Sequence, residues 1–286
     1  MPAILSILCL LPGTDPKIET RFEQVAPLPK DVQAGSRHPR AVILISGLRY
    51  HPLQRDAVTQ PEFHAWQQPG TPLVHELGLA ADVFAFCYSQ NAAVEVIARA
   101  PGLTLAVRKL RFLGYREIVL IGHSAGGLLA RLFVEDHPNA GVTRVVQVCA
   151  PNLGSSWGQA DISVHNAQEK FIESLTRTYR RTAAEQRANR RIPPDVDFVC
   201  VVGGGPLGDG LVSPASQWPD DLQAQGIPMT HLNTTHFTVM HSRKMAPVLA
   251  ELARASQPRW TAQQVEKARG QYLHPAPKLR ILPTTK

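Results

Sequence analysis

The chain has little cysteine, few aromatic residues and no apolar run long enough to cross a membrane. Of its 286 residues four are cysteines, Cys9, Cys87, Cys149 and Cys200, and none forms a Cys-x-x-Cys pair. That spacing excludes the common zinc and thioredoxin-like patterns. Cys87, Cys149 and Cys200 lie in apolar, strand-like runs, the setting of buried thiols, so a reducing, cytoplasmic setting is preferred. Whether Cys149 and Cys200 are bonded is left open by the sequence. Aromatics make up 6% of the residues and are not interleaved with basic ones, which argues against a nucleic-acid partner despite a net charge of +7. The charge instead favours, weakly, acidic or membrane-surface partners. The N-terminal run 3–12 is too short for a spanning helix and lacks the preceding positive charge of a signal peptide. A strand or buried arm is expected there, with export or anchoring as the lesser alternative. No internal repeat and no low-complexity tract is present.

What the chain does have is Gly122-His123-Ser124-Ala125-Gly126-Gly127, preceded by the apolar run 117–121 and followed by the helix-like run 128–133. This is a G-x-S-x-G pattern at a strand–turn–helix junction. A serine that attacks a carbonyl must project from a tight turn. The positions two before and two after it must be small, because strand and helix backbones converge there. Gly122 and Gly126 meet that demand. The helix N-terminus behind Ser124 offers free N–H groups to a developing oxyanion.

In this architecture the nucleophile is followed in the chain by an acid and then a histidine. Asp209 lies in a glycine-rich loop just past the buried strand-like run 197–203, at the strand end where parallel sheets place functional groups. His236 lies in the loop before a helical stretch. The competitors fit less well. His231 falls within a strand, His241 within the following helix, and His123 is read as packing. Asp220 and Asp221 lie deeper in their loop, and Asp197 is at the wrong end of its strand.

These segments resemble the serine esterase and lipase branch of the α/β-hydrolases. Residues 122–131 resemble the nucleophile elbow of bacterial lipases and of GPI inositol-deacylase-like hydrolases. Ala150-Pro151-Asn152-Leu153-Gly154-Ser155 resembles the segment after their next strand, Gly208-Asp209-Gly210-Leu211-Val212 their acid loop, and His236 their histidine loop. The likeness covers about residues 40–255. It implies an α/β fold with a mostly parallel central sheet, helices on both faces and a helical cap. It also implies a Ser124–His236–Asp209 triad, an acyl-enzyme intermediate and no metal or organic cofactor. By position, the oxyanion donors would be the backbone N–H groups of Leu48 and Ala125. Ser46 departs from the pattern, standing where those families usually carry histidine before Gly47. The substrate implied is a small-molecule or lipid ester. The same triad can run acyl transfer or cleave thioesters, and a non-catalytic binding protein is the alternative of a different class.

The organisation agrees with one domain over residues 1–286. Strand-like runs at 41–46, 82–88, 117–122, 143–149, 197–203 and about 227–233 alternate with helix-like segments at 71–79, 94–113 (interrupted at Pro101-Gly102), 125–136, 165–191 and 243–255. Residues 14–40 read as irregular or edge structure. Residues 258–286 read as a peripheral tail with a short helix near 262–269. The insertion 152–195 is expected to form a cap. Within it Phe171, Ile172, Leu175, Tyr179 and Ala183 fall on one helical face. Phe171, Leu175 and Tyr179 are the candidate substrate-binding side chains. The arginine-rich opposite face would meet water or anionic lipid.

Overall fold

The computed structural model describes residues 17–27, 38–49, 60–155, 167–205 and 208–273. The N-terminal run 3–12, Cys9, the middle of the segment 152–195 expected to form a cap, and the end of the tail lie outside them. The strands are β1 (Thr20–Ala26), β2 (Arg40–Ile45), β3 (Asp82–Tyr88), β4 (Glu117–His123), β5 (Arg144–Val148), β6 (Asp197–Gly203) and β7 (Met229–Leu232). They form one seven-stranded sheet in the order β1-β3-β2-β4-β5-β6-β7. Every pairing is parallel except that of β1 with β3. The segment read as irregular or edge structure thus supplies the antiparallel edge.

The helices are α1 (Pro72–Gly78), α2 (Val94–Arg99), α3 (Pro101–Phe112), α4 (Ala125–Asp136), α5 (Glu169–Glu173), α6 (Arg177–Gln186), α7 (Pro214–Gln217), α8 (Asp220–Ala224), α9 (Ala246–Arg254) and α10 (Ala262–Ala268). They cover both sheet faces, so the central strands are apolar on both sides and read as continuous hydrophobic runs. Alternate residues divide between two cores. Ile43, Leu120, Val145 and Phe198 pack with α2, α3 and α4 on one face. Val42, Val119, Val146 and Val199 pack with α1 and α9 on the other. This alternation answers the cysteine question. Cys200 belongs to the first core and Cys149 to the second, on opposite sides of the sheet, and both are free thiols.

Proline sets one boundary as expected. Ala100 is extended and Pro101 opens α3, separating it from α2. The stretch 165–191 departs from expectation, because it is not one helix. It breaks between α5 and α6, where Ser174 Oγ donates to Phe171 O (2.6 Å) and accepts from Val94 N–H (3.1 Å). Thr176 then restarts the chain as an N-cap, its hydroxyl accepting from Tyr179 N–H at 3.2 Å. Local side-chain hydrogen bonds therefore overrode the 3.6-residue periodicity. The presumed single stripe is split in consequence. Phe171 is fully buried against Tyr88, at 6.0 Å between ring centroids.

The basic face is also reorganised. Arg180 is buried and paired with Glu95, Arg187 pairs with Glu135 and Asp136, and Arg190 pairs with Asp136. These side chains tie α6 to α2 and α4 and do not form a free cationic surface. The C-terminal segment is less peripheral than its sequence implies. Trp260 packs edge-on against Trp218 at 5.9 Å, and Val265 and Ala268 of α10 are buried. No helix of the described residues is long and apolar enough to cross a membrane.

Phe171→Ala is expected to cost about 3–5 kcal/mol of unfolding free energy, the penalty for emptying a well-packed aromatic site. Urea unfolding measures it. A change below about 1 kcal/mol would mean that Phe171 is not a core residue.

Candidate active site

The site is assembled at the C-terminal ends of the strands, beside the point where the chain reverses direction across the sheet between β2 and β4. Ser124 follows β4 directly. Its backbone has φ 54° and ψ −125°, a conformation costly for a non-glycine residue. A side chain at Gly122 would overlap the backbone of Gly126, and one at Gly126 would overlap the carbonyls of Ile45 and Ser46. The sequence reading of small residues around the serine has this convergence as its physical basis.

Asp209 lies past β6 and His236 past β7, and both converge on Ser124. Ser124 Oγ is 3.0 Å from His236 Nε2, and His236 Nδ1 is 2.7 Å from Asp209 Oδ2. Asp209 can only accept, so the network assigns the proton to Nδ1 and leaves Nε2 to accept from the serine hydroxyl. Asp209 Oδ1 accepts from the backbone N–H groups of Leu211 (2.9 Å) and Val212 (2.8 Å). His236 N–H donates to Asp209 O at 2.9 Å, which locks the two loops together. Burial alone would raise the Asp209 carboxyl. The His236 hydrogen bond, its charge and the two amides outweigh that and hold it below the usual carboxylate value.

Cys149 was not singled out as part of this group. Its sulfur, an Asp209 oxygen and a His236 nitrogen all lie within 4.8 Å of one another. This is the one set among the described residues with metal-ligand geometry. Burial first, then the neighbouring Asp209 charge, pushes the Cys149 thiol well above its ordinary value. Asp209 Oδ2 and His236 Nδ1 are already bonded to each other, and Asp209 Oδ1 to two backbone amides. The donor set therefore fits hydrogen bonding around Asp209 better than ion coordination.

A cavity of about 260 Å³ opens on Ser124 and His236, walled by Leu48, Trp66, Leu175, Val212, Phe237 and Met240. Of the three candidate substrate-binding side chains, only Leu175 lines it. Phe171 lies in the core, and Tyr179 lies beside Glu95, outside the cavity. His123 and His241 also reach the cavity wall, contrary to the reading of His123 as mere packing and of His241 as a helix residue. The His123 ring meets Trp66 edge-on at 6.3 Å, and its Nε2–H donates to His236 O at 3.0 Å. Asp220 and Asp221 open α8, where Asp221 pairs with Arg131.

Leu48 and Ala125 flank the serine. Gly47 lies so close to the elbow that a Cβ there would come within 2.9 Å of Ser124 Cβ and 2.8 Å of His123 O. The Leu48 N–H has no acceptor among the described residues. Ala125 is the first residue of α4, so its N–H lacks an intrahelical partner. Ser46, the departure from the family pattern, is buried. Its carbonyl accepts from Tyr88 O–H at 3.0 Å and its N–H donates to Phe86 O at 3.3 Å.

No family model matches the sequence, and no curated protein matches it. Solved structures do. Over 82% of this chain and 98% of the other, the backbone superposes on the mature lipase BlEst2 of Bacillus licheniformis with a TM-score of 0.57 at 14% identity. Over 83% of this chain and 98% of the other, it superposes on a monoacylglycerol lipase of Paleococcus ferrophilus with a TM-score of 0.52, also at 14% identity. The fold is that of the α/β-hydrolases. Within that fold the elbow, the acid loop and the histidine loop occupy the ends of β4, β6 and β7.

His123 supplies a pH-dependent prediction. Burial, and then the proximity of His236, keep its imidazole well below the ordinary value of 6.5. Below about pH 6.5 the unfolded chain gains a proton that the folded chain refuses. Stability should therefore fall with pH, by up to about 1.4 kcal/mol per unit from this residue. His123→Gln should flatten the slope of urea-unfolding free energy between about pH 6.5 and 5. Equal slopes for the two proteins would contradict the assignment.

Proposed function

We propose that this protein hydrolyses carboxylic esters through an acyl-enzyme on Ser124. One observation carries the reading: an unbroken hydrogen-bonded relay from Ser124 Oγ through both His236 nitrogens to Asp209, opening on an apolar cavity. His236 Nε2 takes the hydroxyl proton as Ser124 Oγ attacks the ester carbonyl. Asp209 fixes the tautomer and stabilises the imidazolium that forms. The N–H groups of Leu48 and Ala125 bind the tetrahedral oxyanion, at about 3–4 kcal/mol for one such donor. Collapse expels the alcohol, which takes the proton back from His236. Water, activated by the same imidazole, then releases the acid and frees Ser124. The fold likeness to two proteins named as lipases supports an ester substrate.

The cavity volume of about 260 Å³ suits a short acyl chain better than a long one. Leu175 comes from the cap segment 152–195 and would contact that chain. Phe171 and Tyr179, being outside the cavity, are withdrawn from the substrate-binding set.

Hydrolysis of p-nitrophenyl butyrate should exceed that of the palmitate ester by at least about tenfold, since the cavity takes up the shorter chain more completely. Leu175→Ala should narrow that ratio; an unchanged ratio would remove Leu175 from the pocket. Ser124→Ala and His236→Ala should each lower kcat by about 10⁵–10⁶-fold with the fold intact, and Asp209→Asn by about 10⁴-fold. A fluorophosphonate probe should label Ser124. Failure to label the folded protein would favour a non-catalytic binding protein.

A further inference from the structure

Two buried glutamines, Gln90 and Gln168, hold the loop that follows β2. Gln90 lies in the loop after β3 and Gln168 immediately before α5. The Gln90 side-chain amide straddles Leu48. Its Nε2–H₂ donates to Gly47 O at 2.8 Å and its Oε1 accepts from Arg49 N–H at 3.0 Å. A primary amide paired with the backbone on both sides of one residue fixes the peptide planes there. The plane carrying the Leu48 N–H is the one whose carbonyl Gln90 grips. Gln168 closes the network from the cap segment. Its Nε2–H₂ donates to Arg49 O at 2.6 Å and to Gln90 Oε1 at 2.8 Å. Gln90 is 5% exposed and Gln168 is fully buried, so water does not compete for these bonds. Further back, Ser46 is held through Tyr88 and Phe86. Across 46–49, therefore, the flanking peptides are fastened while the Leu48 N–H has no acceptor among the described residues.

We propose that Gln90, braced by Gln168, is a positioning residue that aims the Leu48 N–H at the oxyanion. This rests on the ester-hydrolase reading of the same site. Neither glutamine touches substrate. Their effect is to stop the peptide between Gly47 and Leu48 from rotating, so that the donor is in place before charge develops on the carbonyl oxygen. The arrangement also makes the cap segment part of the catalytic apparatus, because Gln168 belongs to it. A loop fastened only by its own backbone would reorient at the moment of reaction, and preorganisation would be lost.

Gln90→Met keeps the side-chain volume and removes both hydrogen bonds to the loop, together with the one received from Gln168. On p-nitrophenyl butyrate it should lower kcat by about 10- to 100-fold with KM changed by less than about threefold, the signature of a contact made in the transition state. The affinity for butylboronic acid, whose serine adduct is tetrahedral, should fall by the same factor. Gln168→Met, which leaves the Gln90 pair intact, should lose about 3- to 10-fold in both readouts, and it carries the test if Gln90→Met does not fold. A merely structural role would lower the melting temperature and leave kcat and boronate affinity uncoupled. Folded variants with kcat within about twofold of the unaltered protein, or with reduced kcat and unchanged boronate affinity, would overturn the proposal. Ser124-dependent turnover that is insensitive to both glutamines sinks this inference alone. Absence of Ser124-dependent turnover in the unaltered protein sinks the ester-hydrolase reading, and this inference with it.

Discussion

The close approach of β4 and α4 at Gly122 and Gly126 is the constraint on which the rest of the site depends. Ser124 occupies a backbone conformation worth about 1–3 kcal/mol of strain, and it persists because packing on every side over-determines it. Ile45 and Ser46 press on Gly126, and Gly47 presses on Ser124 itself. The serine thus projects into the cavity from the turn between β4 and α4. A larger residue at Gly122 or Gly126 would have to push backbone aside, and the alignment with His236 would be lost along with stability.

From that fixed point the electrostatics follow. A buried carboxylate is costly unless it is paired and hydrogen-bonded. Asp209 meets the requirement with His236 on one oxygen and two loop amides on the other. The loop 208–212 therefore exists in its present shape for the carboxylate, and the carboxylate in turn fixes which His236 nitrogen carries the proton. Cys149, buried beside this pair, has its thiol pushed well above its ordinary value by burial and by the Asp209 charge. On the other side of the serine the polar contacts are of a different kind. Neutral amide side chains, Gln90 and Gln168, fasten the loop 46–49 and add no charge of their own there.

The parts of the molecule legible in the sequence are those governed by short-range rules. Apolar runs gave the central strands, because strands buried on both faces need no alternation. The glycines around Ser124 marked the elbow, and the glycine-rich run past β6 marked Asp209. What could not be read was set by contacts distant in sequence. The break between α5 and α6 depends on Ser174 bonding to Val94, 80 positions away. Arg180 and Arg187 look like part of a solvated face until Glu95, Glu135 and Asp136 arrive from α2 and α4. Phe171 and Leu175 share a helical spacing and one core, yet of the two only Leu175 also reaches the cavity. Gln90 carried a faint signal, as a polar residue two positions past a buried strand, but nothing local says that it reaches back to Gly47. His123, next to the nucleophile, was legible as a residue and not as part of the cavity wall, because its direction is decided by Trp66 and by the carbonyl of His236.

The central claim is that Ser124 becomes covalently acylated during turnover. The most direct measurement is rapid acid quenching of the protein with p-nitrophenyl butyrate in the steady state, followed by peptide mapping by mass spectrometry. The account predicts a butyryl group on the peptide containing Ser124, at Ser124 itself, and its disappearance once substrate is exhausted. Sustained ester turnover with no acyl group at Ser124, or with the group on another side chain, would contradict it.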